Sequence, residues 1–330
     1  LEDLFQNAGE DDEAAWIEII RDNDYALAAA IYGYLCDRIP PDVRLMVCRL
    51  LDRLCKLEDE IGMHIVTERW GKLSFLLGQV SSGVKYALSL PKEEGEGQEE
   101  RAQQLFAWFL LIEELFTATF AGSQKAETAT KTTPNADRLS EEVLPNASFF
   151  EPILSAMEEC TEGLLMTACE ACLAINYHYS SRATNQFMTA LVAIEQNQYF
   201  GEGLLLILNN QSTPYENGPL LRQTLQCVVD LFAAAETDLY FYSNDVKVIV
   251  DIFVREIGNL DTKDSMRTEY LRALSMLLRH STWSANGSHR KAEIKTSLHA
   301  ILNAGVGEDG YEATAVATAK TVLSECHALL

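Results

Sequence analysis

The stretch DLYFYSNDVKVIVDIFVREIGNLD, residues 238–261, decides the fold of this chain. It holds a cluster of aromatic residues, a polar pair and a mostly apolar run that ends before a glycine. Composition alone suits either a buried strand or a buried helix. A run of about 14 residues exceeds the usual strand length. Apolar residues also recur at helical spacing, at Val246, Ile249, Val250, Phe253 and Ile257. We therefore predict a helix that is buried between neighbours.

The flanks and second face of this helix carry further expectations. Val248 and Ile252 form a second apolar stripe, which predicts a helix that is apolar nearly all round. Ser243 or Asn244 is expected to cap its start, and Gly258 to supply a left-handed turn at its end. The aromatic residues at 240–242 are expected to fix the entry of the chain into the helix, although tyrosine and phenylalanine also serve as binding anchors.

The rest of the chain is also predicted to be helical. The run KEEGEGQEE, residues 92–100, is expected to be a solvated loop, and the Thr- and Ala-rich residues 121–146 a flexible loop or insertion. Short turns with Gly, Pro and Asn separate the later elements. Helices are predicted there at roughly 149–160, 162–178, 182–196, 200–209, 218–236, 244–257, 264–281, 289–303 and 310–329.

About a dozen helices joined by short turns are typical of an all-α, armadillo- or HEAT-like α-solenoid. The repeats are expected to be degenerate, since the sequence shows no repeating consensus. We predict a single elongated domain over residues 1–330. A globular helical bundle is the alternative.

Composition narrows the classes of function. The net charge of −23 argues against nucleic acid and anionic membranes as partners. The apolar runs are too short to span a bilayer, and no basic-then-apolar signal opens the sequence. Eight cysteines scattered among apolar neighbours suit reduced thiols. We therefore expect a cytoplasmic protein.

Catalytic and metal-binding motifs are missing from the sequence. Cys169 and Cys172 form one CxxC pair, with His178 as the only nearby candidate for a third ligand. We interpret this pair as small apolar residues inside a helix, because a zinc site needs four ligands. The six histidines form no HExxH, and no phosphate loop or nucleophile elbow is present. We expect no enzymatic activity, no cofactor and no small-molecule substrate.

Basic side chains concentrate around the opening stretch. Residues 240–300, the basic segment, carry nine Lys or Arg against seven Asp or Glu, whereas residues 1–100 carry ten against 21. A local reversal of sign on an acidic protein suits docking to an acidic partner surface. The candidate partner-binding residues are Lys247, Arg255, Arg267, Arg272, Arg279, Arg290, Lys291 and Lys295.

The opening stretch, followed by RTEYLRAL and then HRKAEI, resembles the armadillo-like region of the WISH/DIP/SPIN family over about residues 238–295. Members of that family activate the actin-related protein 2/3 complex, and the overall size is similar to the compact fungal Dip-type members. The chain lacks the proline-rich segments of the larger animal relatives, having eight prolines and no PxxP.

The resemblance implies a non-enzymatic activator that docks on the complex and favours its active arrangement. Its product is an unbranched actin filament that needs no preformed filament, so actin itself is an indirect partner. The implied location is the cortical or endocytic actin patch. A passive armadillo-type adaptor, which holds a partner helix or peptide in its groove, is the alternative.

Overall fold

The computed structural model describes helices along most of the chain. The described residues are 25–33, 41–57, 73–90, 96–127, 144–179, 184–194, 198–210, 218–233, 240–261, 264–303 and 310–330, with six single residues between them. They form helices joined by turns, with no strand among them. The predicted all-α, solenoid-like class is confirmed.

The chain divides into two compact units. The first comprises Leu1–Tyr179 with Thr189–Gln196, and the second Ser180–Met188 with Asn197–Leu330. The predicted single domain over residues 1–330 stays a prediction. Among the described helices, none combines the length and apolar character that a membrane span requires.

The first unit is built around one long helix. Its labelled helices are α1 (Pro41–Leu57), α2 (Leu73–Ser89), α3 (Glu96–Glu127), α4 (Ala147–Met157) and α5 (Glu162–Tyr179), and residues 25–33 are also helical. Helix α3 packs against α1, α2 and α5. It buries Trp108, Phe109 and Phe116, which explains why its sequence is so apolar.

Helix α3 is longer at both ends than the sequence predicted. It begins at Glu96, inside the stretch 92–100 that was expected to be a loop, because glutamates in a first helical turn interact favourably with the helix dipole. It ends at Glu127, so the first seven residues of the predicted loop 121–146 are helical. Residues 128–143 of that loop lie outside the described residues.

A short helix, α6 (Gln186–Ala193), precedes the helices of the second unit. These alternate between two layers. We call α7 (Gln198–Asn210), α9 (Ser243–Asn259) and α11 (Lys291–Asn303) the α9 layer, and α8 (Gly218–Ala233), α10 (Met266–His280) and α12 (Gly310–Glu325) the α10 layer. Each helix packs on the next of its own layer, and the pairs α7–α8, α9–α10 and α11–α12 join the layers. This is the pairwise stacking of an α-solenoid.

Candidate partner-binding surface

Helix α9 buries one face and exposes the other. The predicted core positions Val246, Ile249, Val250, Phe253 and Ile257 are all buried between α7, α10 and α11, so the predicted inner helix is confirmed. The predicted second stripe is only half right. Ile252 is buried, whereas Val248 is 44% exposed and lies on a polar stripe with Asn244, Asp251 and Arg255.

The ends of α9 differ from the sequence prediction. The helix begins at Ser243, so Ser243 and Asn244 lie inside it, and the Asp245 carboxylate accepts a hydrogen bond from the Tyr242 backbone N–H at 3.2 Å. Gly258 lies within the last turn and is not left-handed, because the helix runs on to Asn259. The C-terminal end of α9 is stabilised by Arg267 of α10. Its guanidinium donates a hydrogen bond to the carbonyl of Leu260, the residue that follows the helix.

This role removes Arg267 from the candidate surface. Its side chain is buried, at 9% exposed, and burial lowers its pKa against the opposing influence of Asp261 and Asp264. Its guanidinium holds the end of α9 against the start of α10 and is not presented to a partner.

The other four candidate arginines are exposed or half-buried, and each is held in an intramolecular ion pair. Arg255 Nε lies 2.6 Å from Glu256, Arg272 lies 3.0 Å from Glu269, and Arg279 lies 3.0 Å from Glu325 of α12. Arg290 pairs with Asp251 and Glu293, and the Glu293 hydrogen bonds raise its pKa. Pairs of this kind contribute little to stability, but they reduce the positive charge available to a partner.

The three candidate lysines differ from the arginines. Within the described residues, no ion pair involves Lys247, Lys291 or Lys295, and Lys247 has only a 3.5 Å contact with Asn244. Lys291 and Lys295 are four residues apart on α11 and therefore share one helix face. The positive charges of these lysines are therefore not paired by an acidic group of the described residues.

The candidates do not form one patch. Arg272 and Arg279 lie on the exposed face of α10, in the α10 layer. The remaining five, Lys247, Arg255, Arg290, Lys291 and Lys295, lie on or beside α9 and α11, in the α9 layer. These residues lie close together in the sequence, but the fold places them in two different layers.

Hydrogen bonds that the sequence did not predict connect the turn between α10 and α11 to α9, and we call this set of contacts the clasp. His289 Nε2 lies 2.8 Å from Asp251 Oδ1, and Asn286 Nδ2 donates a hydrogen bond to Ser243 Oγ at 2.9 Å. The buried Trp283 donates through Nε1 to the His289 carbonyl at 2.9 Å. Gly287 is left-handed, with φ +85°, as expected for the Asn-Gly pair in this turn. That pair was the only sequence signal for the clasp.

The three aromatic residues before α9 separate into core and surface. Phe241 is buried against Phe232, with ring centroids 5.9 Å apart. Tyr240 packs on Gly201 of α7, where an added Cβ would lie 3.1 Å from its ring. Tyr242 is 74% exposed and is therefore available as an anchor for a partner. The packed rings of Phe241 and Tyr240 fit the expected entry of the chain into the helix, and a binding role for Tyr242 stays a prediction.

The CxxC pair is part of the core. Cys169 and Cys172 are buried inside α5, and burial raises the pKa of the Cys172 thiol. His178 is also buried, with Nε2 3.1 Å from the Phe116 carbonyl of α3. These positions fit the interpretation of small residues packed inside a helix. Within the part of the chain that the structure describes, no group of His, Cys, Asp or Glu has the arrangement of a metal site.

An open groove runs along the exposed stripe of α9. It has a volume of about 580 Å³, within the range of protein ligand sites. Val248, Asp251 and Arg255 line it from α9, Asn209 from α7, and Arg290 from the position just before α11. The groove brings together two of the predicted arginines, and its other lining residues were not among the predicted partner-binding residues.

Comparison with known proteins gives matches over the part of the chain that contains these features. Residues 161–294 match the family model described as SPIN90/Ldb17, leucine-rich domain. The chain is 36% identical over 86 residues to protein dip1 of Schizosaccharomyces pombe, covering 26% of this chain and 22% of that protein. It is 30% identical over 142 residues to protein LDB17 of Saccharomyces cerevisiae, covering 40% and 27%.

The matches thus span about a quarter of the length of these curated relatives. The family model covers helices α5 to α10 and the first residues of α11, and so includes α9, the groove and the clasp. Residues 161–294 therefore match the leucine-rich domain of the SPIN90/Ldb17 family, and the resemblance seen at residues 238–295 is confirmed.

Proposed function

We propose that this protein activates the actin-related protein 2/3 complex by binding it, without catalysing a reaction. The observation that carries the proposal is the family match over residues 161–294, which contains the exposed face of α9 and its groove. The resemblance implies that the product is an unbranched filament, nucleated without a preformed filament. It also implies action in the cytoplasm at cortical or endocytic actin patches.

Activation of this kind needs a difference in affinity. A protein that binds the inactive and active arrangements of the complex equally shifts nothing, however tightly it binds. Moving the population from about 1% active to about 99% active takes roughly a 10⁴-fold preference for the active arrangement. We infer that the chain supplies this preference through contacts available only when the two actin-related subunits are arranged as neighbours along a filament.

The contact surface that we propose is the exposed face of the α9 layer. It presents Lys247, Lys291 and Lys295 without ion pairs to described residues, and Tyr242 as a mostly exposed ring. Cations steer an acidic partner into place, and an aromatic anchor contributes to the affinity of the docked state. Arg255 and Arg290 border the groove on the same layer.

Actin assembly followed by fluorescence tests this function. The purified 330-residue chain is mixed with actin monomers and the complex, without seed filaments, and the filaments are imaged for branches. We expect assembly to accelerate with the concentration of the chain and to give unbranched filaments. Binding to the complex without acceleration would contradict the proposal and favour the passive adaptor.

A further inference from the structure

Two unpartnered asparagine side chains lie in the groove beside α9. Asn209 lies at the end of α7 and Asn259 at the end of α9, and both line the groove. Both are exposed, and neither side-chain amide has a hydrogen-bond partner among the described residues. Asparagine often ends helices in the left-handed conformation, but neither residue has a positive φ. Helix capping therefore does not account for them.

A side-chain amide matches a peptide main chain. It offers N–H donors and a carbonyl acceptor, the same two groups that each peptide unit presents. An extended segment has main-chain groups free to form such bonds, whereas a helix has already used its own. The groove also offers little to the apolar face of a helix. Of its apolar side chains only Val248 is well exposed, while Ile252 and Val254 are buried.

The charged side chains in the groove indicate the charge of a ligand that would bind there. Arg290 is held by Asp251 and Glu293. Arg255 is bonded only through Nε, to Glu256, so its two terminal nitrogens make no hydrogen bond within the described residues. A planar guanidinium with free terminal nitrogens suits a carboxylate, which it can bind in bidentate fashion.

We infer that the groove between α7, α9 and the start of α11 binds an extended peptide segment with an acidic side chain. Asn209 and Asn259 hold the main chain of that segment, and Arg255 holds its carboxylate. The inference goes beyond the proposed function, because it concerns the form and chemistry of the ligand and does not depend on which complex supplies it.

Selection from a phage-displayed library of random twelve-residue peptides tests this inference. The full chain is the bait, and the enriched sequences are synthesised with a fluorescent label for binding by anisotropy. We expect enriched peptides to contain Asp or Glu and to bind at least tenfold more weakly to the double variant Asn209→Ala/Asn259→Ala. Methylation of alternate backbone nitrogens in the peptide should reduce binding similarly, because it removes main-chain donors.

Matched variants separate the groove from its surroundings. Asn210→Ala removes an exposed asparagine next to Asn209 that does not line the groove, and we expect it to bind as the wild type does. Arg255→Glu should abolish the preference for acidic residues. Each variant is accepted after its thermal melt matches that of the wild type.

Three results would overturn the inference. The first is a library that yields no binding peptide. The second is equal binding to the wild type and to the Asn209→Ala/Asn259→Ala variant, which would place the site elsewhere. The third is a bound peptide that becomes helical by circular dichroism, which would show that the groove takes a helix.

Discussion

At the scale of single residues, Gly83 is the described glycine whose surroundings leave the least room for a side chain. It lies in α2, and a Cβ added there would lie within 2.7 Å of three indole atoms of the buried Trp108 in α3. We expect Gly83→Ala to lower the free energy of unfolding by about 1–3 kcal/mol, the usual cost of overpacking a core. Thermal or urea unfolding measures the change.

Gly78→Ala is the matched control in the same helix. An added Cβ there meets no atom within 4 Å, and the residue is exposed. We expect this change to be neutral or to stabilise the protein by up to about 1 kcal/mol, because alanine restricts the unfolded chain more than glycine does. Equal stability of the two variants would show that α2 and α3 do not pack as described.

A second prediction at the residue scale concerns Glu170 of α5. Burial first, and the nearby Glu113 of α3 second, raise its pKa from 4.5 to about 7. The stability that the neutral carboxyl contributes is therefore complete below 4.5 and is lost as the pH rises through about 7. Above that pH the folded protein bears the full cost of a half-buried carboxylate.

The variant Glu170→Gln removes this titration. We expect its free energy of unfolding, relative to wild type, to rise by about 1–2 kcal/mol between about pH 5 and about pH 8, a figure reduced to allow for partial solvent access. Urea unfolding of both proteins at both pH values measures the difference. An unchanged difference would mean that Glu170 titrates normally in the folded protein.

At the scale of the helix, the two faces of α9 should respond very differently to truncation. Phe253 is fully buried and packs edge-on against Tyr270 of α10, with ring centroids 5.5 Å apart. We expect Phe253→Ala to cost about 3–5 kcal/mol of unfolding free energy. Val248→Ala, on the exposed face of the same helix, should stay within about 0.5 kcal/mol of wild type. Similar losses at both positions would contradict the assigned orientation of α9.

The sequence predicted α9 as a helix because its five core residues repeat at helical spacing, and that period survives in any packing arrangement. It predicted Val248 and Ile252 alike as a second apolar stripe, because both are apolar and only the neighbouring helices determine which one is covered. The prediction for the C-terminal end of α9 was wrong for a similar reason. The group that closes it, Arg267, comes seven residues after Leu260 and is brought back by the turn.

The candidate site was less predictable than the fold. The sequence located the basic segment, but the pairs that reduce its charge join distant residues, such as Arg279 with Glu325 and Arg290 with Asp251. The groove depends on Asn209, which lies well before the segment that carries the resemblance. Contacts between residues so far apart in the sequence arise when the helices stack, and no local pattern of residues specifies them.

At the scale of the second unit, the division into two layers makes the surface assignment testable by a matched pair of variants. Lys291→Glu/Lys295→Glu reverses two charges on the α9 layer, and Arg272→Glu/Arg279→Glu reverses two on the α10 layer. We expect the first to weaken binding to the complex at least tenfold and the second to change it little, since charge reversal acts where the partner docks. Titration of the labelled complex measures both.

Each of these double variants serves as the control for the other, because the number and sign of the changes are equal. The arginine pair also breaks two surface ion pairs, which should cost about 0–1 kcal/mol of stability each and leave the protein folded. Loss of binding only in the α10-layer variant would move the proposed contact surface to the opposite layer.

The measurement that tests activation most directly is energy transfer between fluorophores on the two actin-related subunits of the complex, with this chain added and actin omitted. If the chain favours the active arrangement, transfer should change toward the value of the active complex, saturate with concentration and follow the binding curve. Saturating binding with no change in transfer would mean that the chain binds both arrangements equally, and would contradict the proposed activation.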